Sequence, residues 1–483
     1  YMLLSYLLYI NGHVPPHIAA GSNLNLPVLN QFLRRCGAFF LRRSFRTDPV
    51  YSAIFDEYLS NILGQGVSLE YFVEGGRSRT GRLLPPKGGM IQMTVRSYMR
   101  TPHKPIMFQP VYIGYEQLVE GDSYISELGG KEKKSESLSD LFSVFGILRR
   151  NYGKVHVNFG QPIYLDPLLQ SQDKNWQSLD PEDKPQWLPT LVDELATSIM
   201  TNINGAADVN PINLLAVCLL ATTKHSLPLE ELEYQIGLYL KLLKLSPSSD
   251  NVTITALNAR EIIDYGQQLG VVGMRKHTLG DIVFVKEKAA VQLTYFRNNI
   301  AHLFALPSFI ASCFLVRADL PRTRLLRQFS LIYPYLQKEL FLRWSYKEAR
   351  NALVEYLEIF DSLELVTGKR TLKRATGGSQ LAASLGLLGR GMLHTFERYF
   401  ITISVLVNKG SGALSASELE ELCILYAQRI SLLHEFDAPE FYDKTLFRQF
   451  IANLSAGGIL SEDESGKLQF DDALKTISED ARL

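Results

Sequence analysis

The pattern of apolar positions changes character near residue 205. Before it, short continuous apolar runs alternate with segments of helical spacing. Residues 36–41 (CGAFFL), 68–73, 105–114 and 154–159 are apolar runs bounded by turn residues, which is the setting of buried strands. Tyr51, Ile54, Phe55, Tyr58, Leu59 and Ile62 recur at intervals of three and four across 50–64, and 90–100 repeats the pattern, so both segments are expected to be amphipathic helices. A glycine-rich loop lies at 75–89. The order strand, helix, strand, loop, helix, strand predicts an α/β domain with a mainly parallel sheet flanked by helices. A polar, proline-bearing stretch at 171–189 and a helix at 190–204 close it, so the first domain is expected to span 1–206.

From 207 to 483 helical spacing predominates, and it repeats. Residues 213–285 read as an apolar helix, a helix capped at Ser226, a third helix ending REIIDYGQQLGVV, and a short strand at 282–285. Residues 400–470 run in the same order: ITISVLV, the cap sequence SASE at 415–418, FRQFIANLSAGGIL, a polar turn and KLQF. A weaker echo lies at 349–372. The expectation is a mostly α-helical C-terminal region of two or three winged-helix-like units. Such units often bind DNA, so charge decides. Residues 1–110 hold 12 Lys+Arg and 5 Asp+Glu, or +7, and because the whole chain has 50 of each, the remainder carries −7. An acidic helical region is repelled by a phosphate backbone, and nucleic acid is not expected as a partner.

Composition narrows the class further. With 483 residues, 46% hydrophobic and 21% charged, the chain has ample material for a core, which excludes disordered and collagen-like chains. Four dispersed cysteines (Cys36, Cys218, Cys313, Cys423) with no CxxC spacing suggest neither a zinc cluster nor a secreted disulfide framework. The most apolar runs, 1–10 and 303–316, are ten and fourteen residues long. A helical span needs about 20, and the first run lacks a basic n-region, so both are expected to be buried or interfacial helices. A chain opening on Tyr1 inside an apolar helix is expected to have lost upstream residues.

The basic excess is concentrated in two places. In LRRCGAFFLRRSFR (33–46) an apolar strand is flanked by Arg34 and Arg35 before it and Arg42 and Arg43 after it. In FVEGGRSRTGR (72–82) a strand ends in Glu74, Gly75 and Gly76 free the backbone for close approach, and Arg77, Arg79 and Arg82 follow. Guanidinium forks suit phosphate oxygens, and the N–H groups of a glycine loop at a strand's carboxyl end suit any anion. The loop has neither the P-loop order nor the dinucleotide fingerprint. One arginine pair alone reads as a solvated turn; two clusters in one α/β unit read as an anion site.

The runs GAFFLRR (37–43), YFVEGGRSRTGR (71–82) and PVYIGYE (110–116), in this order and spacing, resemble the second, third and fourth blocks of the glycerol-3-phosphate/lysophosphatidate acyltransferase superfamily. VPPHIAAG (14–21), EGGRSRTGR (74–82) and YFRNNIAHL (295–303) are similar to its large bacterial membrane-associated glycerol-3-phosphate 1-acyltransferases. The resemblance extends over nearly the whole chain. It implies transfer of a fatty acyl chain from acyl-CoA or acyl-carrier protein to the sn-1 hydroxyl of glycerol 3-phosphate, giving lysophosphatidate, the first step of phospholipid synthesis. It also implies that Arg43 binds the substrate phosphate, that Glu74, Gly75 and Gly76 belong to the acceptor block, and that Pro110 lies on the acyl-donor side. Arg77 and Arg79 add positive potential for phosphate. A bidentate fork on a dianionic phosphate would distinguish glycerol 3-phosphate from glycerol, and a carboxylate can accept a glycerol hydroxyl. No metal or other cofactor is implied, because thioester acyl transfer needs a base, an oxyanion stabiliser and positioning. The amphiphilic product and the +7 segment bearing 1–10, Phe39, Phe40 and Phe45 predict peripheral attachment to a phospholipid surface at the cytoplasmic face of the bacterial inner membrane.

The family's first block is an H-x-x-x-x-D motif whose histidine acts as general base, and it ends just before the segment matched by Tyr1. None of the nine histidines opens such a motif. No catalytic residue is therefore assigned in this chain, which on its own is expected to bind glycerol 3-phosphate and to transfer acyl groups negligibly. His13 and His17 read as turn or strand-end histidines, and His302 as a hydrogen-bonded core residue. Two other readings stay open: the same chemistry on dihydroxyacetone phosphate or lysophosphatidate, and a noncatalytic phospholipid- or phosphate-binding scaffold.

Overall fold

The computed structural model describes residues 2–21, 27–42, 48–102, 104–118, 152–180, 185–246, 251–434, 439–471 and 474. The chain divides into two compact units, one of Tyr1–Ser78, Leu83–Tyr112 and Val157–Ala206, the other of Arg79–Arg82, Ile113–His156 and Ala207–Leu483.

In the first unit, helix and strand alternate. Helix α1 (Met2–Ile10) leads to β1 (His17–Gly21), α2 (Pro27–Arg35) to β2 (Ala38–Leu41), and α3 (Pro49–Gly64) to β3 (Leu69–Glu70). Strand β1 lies between β2 and β3 and is parallel to both, with Ile18 opposite Ala38 on one side and Glu70 on the other. Parallel neighbours require crossovers, which α2 and α3 supply. Helix α3 starts where its cap allows: the Tyr51 N–H donates to Asp48 Oδ1 at 3.0 Å, and Pro49 occupies the first turn. Its inner residues Phe55 and Leu59 pack with Ala19 of β1 and Phe39 of β2 in one small core.

Two expected strands are shorter than their apolar runs. The run at 68–73 is a strand only at Leu69–Glu70, because the chain then turns, with the Gly75 N–H donating to the Phe72 carbonyl at 3.0 Å. The run at 105–114 breaks at Gln109 and Pro110 into β4 (Met107–Phe108) and β5 (Val111–Tyr115), since proline has no N–H for a ladder. Strand β5 pairs with β6 (Val155–Phe159), and β4 pairs antiparallel with β7 (Ile163–Tyr164). The sheet expected to be mainly parallel is therefore a three-stranded parallel core, with further strands in separate small pairs. Helix α4 (Gly89–Arg100) buries Ile91, Val95 and Tyr98, and the Tyr98 hydroxyl donates to Asp166 at 2.7 Å.

In the second unit one element order recurs: a helix, a short strand, two helices and a hairpin. The first occurrence comprises Pro211–Leu219, Ser226–Pro228, Leu229–Leu245, Ala259–Gln268, Val272–Arg275 and Ile282–Val285, with Ile282–Val285 the central strand. The second comprises Ala305–Ser312, Asp319–Pro321, Arg322–Leu340, Tyr346–Ser362, Val366–Thr367 and Thr371–Arg374. In the third, Leu393–Lys409, Ala416–His434 and Lys444–Ala456 are joined to Ser461–Glu462 and Leu468–Gln469, and Ser415 bridges to Lys467 in place of the first strand. The sequence echo at 349–372 is thus the end of a complete copy. Ser226 is not a helix cap, because Ser226–Pro228 is drawn into the sheet and the helix begins at Leu229. At the corresponding place Ser415 does close a capping box, its N–H donating to Glu418 Oε2 at 2.7 Å and its hydroxyl accepting from the Glu418 N–H at 3.3 Å.

Every residue of Pro211–Leu219 and of Ala305–Ser312 is buried, so the apolar run at 303–316 belongs to the core over 304–314, while Val316 at its end is exposed. Helix α1 instead exposes Met2, Leu3, Tyr6, Tyr9 and Ile10 on one side. Among the described residues, no helix is long and apolar enough to cross a membrane.

Candidate functional site

The parallel register sorts the arginines. Gly21 and Leu41, the last residues of β1 and β2, lie opposite each other, while β3, running the same way, ends at Glu70 opposite Ile18, so β2 leads toward Arg42 and β3 leads into the 71–78 loop in the same direction from different levels of the sheet. Arg34 and Arg35 precede β2 and lie at its opposite end, where Arg34 Nε donates to Asn30 Oδ1 at 2.6 Å. The carboxyl ends of parallel strands are where open α/β sheets bind ligands, and Arg42 and the glycine loop each follow such an end. Arg43, on which phosphate recognition is expected to rest, lies outside the described residues. Its neighbour Arg42 is engaged locally: Nη1 donates to Asp48 Oδ2 at 2.8 Å, and the guanidinium lies 4.6 Å from the Tyr51 ring centre. His17 begins β1 opposite Leu69 of β3, about 13 Å of strand from Gly21, and His13 sits in the turn after α1. His302 is half-buried in a short 3₁₀ turn.

The loop after β3 is closed by its own carboxylate. Glu74 Oε2 accepts from the Leu84 N–H at 2.6 Å, and the Lys87 N–H donates to the Val73 carbonyl at 2.8 Å. Burial raises the Glu74 carboxyl, opposed by the Leu84 N–H, which stabilises its ionised form. Gly75 has φ +60, and a Cβ there would meet Lys87 Cδ at 2.7 Å, while Gly76 has nothing nearer than 3.9 Å. Arg77 and Arg79 are exposed. Pro110 is buried, and its carbonyl accepts from the Gly160 N–H at 2.9 Å.

The third arginine of the loop does something different. Arg82 is buried in the second unit, where Nη1 donates to Glu339 and Nη2 reaches Thr395 Oγ1 at 2.8 Å and His394 Nε2 at 3.1 Å. Glu339 also accepts from Arg398 and, at 2.7 Å, from the Tyr399 hydroxyl. Arg297 donates to Glu440. Three arginines thus meet two carboxylates away from water. Burial alone would raise the Glu339 carboxyl, but Arg398 and Arg82 hold it below the ordinary range, so it stays ionised. Burial and the Arg82 charge bring Arg297 down to about 9, which leaves it cationic at neutral pH. Burial and the three arginines push His394 well below its usual value. The imidazole is therefore neutral, its Nε2 accepts from Arg82, and Glu440 at 3.3 Å from the same nitrogen is a neighbour and not an ion-pair partner.

Two asparagines complete the hold on this segment. Asn298 Nδ2 donates to the Thr80 carbonyl at 2.8 Å and Asn299 Nδ2 to the Gly81 carbonyl at 2.9 Å. Sequence reading missed Asn298, Asn299, Glu339, His394 and Arg398. The available signal was the charges set among apolar residues in LQKELFLRW (336–344) and HTFERYFITI (394–403).

Residues 124–463 match the family described as the glycerol-3-phosphate acyltransferase C-terminal region, and residues 1–114 match the acyltransferase family. The chain belongs to the glycerol-3-phosphate acyltransferase family. It is similar over its whole length to a protein named glycerol-3-phosphate acyltransferase from Xanthomonas campestris, at 49% identity, covering 55% of that relative. A protein of the same name from Pseudomonas aeruginosa is 45% identical, with 58% of its length covered. The chain thus spans about half the length of the curated relatives it matches. Within the glycerol-3-phosphate acyltransferase family frame, the loop of Glu74 to Arg82 lies in the acyltransferase match, and every residue that holds Thr80, Gly81 and Arg82 lies in the C-terminal-region match.

Proposed function

We propose that the protein is a glycerol-3-phosphate 1-acyltransferase, moving a fatty acyl chain from acyl-CoA or acyl-carrier protein to the sn-1 hydroxyl of glycerol 3-phosphate to give lysophosphatidate. The observation that carries this reading is the parallel register. In a chain of this family, the carboxyl ends of β2 and β3 point the same way, the first toward Arg42 and the second into the Glu74 loop. Arg43 takes the substrate phosphate, with Arg77 and Arg79 adding positive potential. Glu74, Gly75 and Gly76 form the acceptor loop, and Pro110 lies on the donor side. Residues 1–206 act as the acyltransferase domain. The recurring order of helix, strand, two helices and hairpin supports reading 207–483 as winged-helix-like structural modules.

The test is an acceptor comparison in the full-length protein. Glycerol 3-phosphate should be acylated in preference to dihydroxyacetone phosphate and lysophosphatidate, with the chain on the sn-1 oxygen. Faster turnover of either competitor would reassign the acceptor. Phosphate binding without transfer to any of the three would make the protein a scaffold.

The protein attaches peripherally to the cytoplasmic face of the inner membrane. The exposed side of α1 and the positive first segment support this. Flotation with vesicles rich in anionic lipid should fall substantially at about 1 M salt, where the Debye length is about 3 Å. Flotation indifferent to salt would assign attachment to apolar insertion alone, and absence of flotation would refute membrane attachment.

A further inference from the structure

Lys87 lies outside the two arginine clusters of the sequence, yet the fold puts its ammonium against the glycine loop. Its N–H donates to the Val73 carbonyl at 2.8 Å, which brings residue 87 alongside the start of the loop. Its side chain then runs across Gly75. A Cβ on Gly75 would stand 2.7 Å from Lys87 Cδ, 3.4 Å from Cε and 3.5 Å from Nζ, so the lysine stem occupies the place that any other residue at 75 would fill. The loop's own carboxylate does not neutralise this cation. Glu74 turns to the Leu84 N–H at 2.6 Å, and among the described residues no acid forms an ion pair with Lys87. Lys87 is exposed, and Gly76, the next residue of the loop, has nothing nearer than 3.9 Å where a Cβ would stand. The ammonium therefore lies beside uncovered backbone.

We propose that Lys87 binds the phosphate of the acceptor over the Gly75–Gly76 backbone, and that Gly75 is glycine in order to seat the lysine side chain. This rests on the reading of residues 74–76 as the acceptor loop. An ammonium offers three donors and a compact charge, which suits the oxygens of a phosphate monoester. Residues 73–76, 84 and 87 all belong to the first unit. The hydrogen bonds from Leu84 and Lys87 hold the two arms of the loop together before a ligand arrives, so less freedom is lost on binding than a loose loop would lose.

The experiment is a phosphorus NMR titration of glycerol 3-phosphate, and separately of inorganic phosphate, into the 483-residue chain and its variants, with thermal melting as the control for folding. Lys87→Met keeps a stem over Gly75 and removes the charge, so melting should be unchanged and Kd for both ligands should rise by the same factor, roughly five- to thirtyfold. Lys87→Arg should recover most of the affinity, and Lys87→Gln serves if the methionine variant melts early. Lys104 supplies the charge control. It is an exposed lysine of the same unit that lies over Gly66, in the turn before β3 instead of the loop after it, and Lys104→Met should change Kd by less than about twofold. Equal weakening by the two methionine variants would reduce the effect to net charge and refute the proposal, as would an unchanged Kd in Lys87→Met. Weaker glycerol 3-phosphate with unaltered inorganic phosphate would move Lys87 to the glycerol end and overturn it too. Gly76→Val tests the reading beneath, since it covers the open backbone without altering the lysine. If it binds as tightly as the parent, the acceptor-loop reading fails and the lysine assignment fails with it; if it weakens binding while Lys87→Met does not, the loop reading stands and the lysine assignment alone is refuted.

Discussion

Glu339→Ala is expected to lower the thermal unfolding midpoint of the second unit by roughly 10 °C. The carboxylate is shared by the buried guanidinium groups of Arg82 and Arg398 and by the Tyr399 hydroxyl. Removing it leaves two cations without their counterion where water cannot replace it, a change that costs about 3–5 kcal/mol. Loss of packing adds little by comparison, since the charged head and not the stem fills the contact. Added salt should not restore the lost stability, because ions do not reach the site. Arg448→Ala is the control. Arg448 pairs with Glu420 at 2.9 Å but is 64% exposed, so its loss should leave the midpoint nearly unchanged. Differential scanning calorimetry of the two variants compares them directly. Equal, small shifts would mean that the buried network contributes no more than a surface pair.

Arg43→Ala is expected to weaken glycerol 3-phosphate binding by roughly ten- to a hundredfold. The figure follows from the loss of a charge-assisted contact to a dianionic phosphate, worth about 1.5–3 kcal/mol. The fold should be unaffected, since an arginine past the end of a buried strand leaves no cavity when it is shortened. Lysine should rescue only in part, being a point charge and not a planar fork. In steady-state kinetics of the full-length protein, the KM for the acceptor should rise while that for the acyl donor stays near its parent value. A weakened donor with an unchanged acceptor would assign the second block to the donor's own phosphates.

Much of the first unit was legible because its signals are local. The helix over 50–64 follows from its apolar spacing, and the strand within CGAFFL from its unbroken apolar run. The failures occurred where a local signal was overridden. Pro110 interrupts an apolar run that otherwise reads as one strand. Ser226 precedes acidic residues as a helix cap would, but pairing with Ile282–Val285 claims it for a sheet. Motif order located the glycine loop, and the parallel register explains why Arg34 and Arg35 are separated from it. Nothing local distinguishes Arg82 from Arg77 or Arg79. Its partner Glu339 is 257 residues away, and the burial that makes it an anchor exists only after the helical unit has formed.

The central claim is that the site is built for the phosphate of a small glycerol ester, and the most direct measurement is equilibrium binding to the 483-residue chain followed by phosphorus NMR. Glycerol 3-phosphate should bind saturably, inorganic phosphate should compete, and glycerol at the same concentration should not. Absence of saturable binding, or displacement by glycerol as effective as displacement by phosphate, would contradict the account.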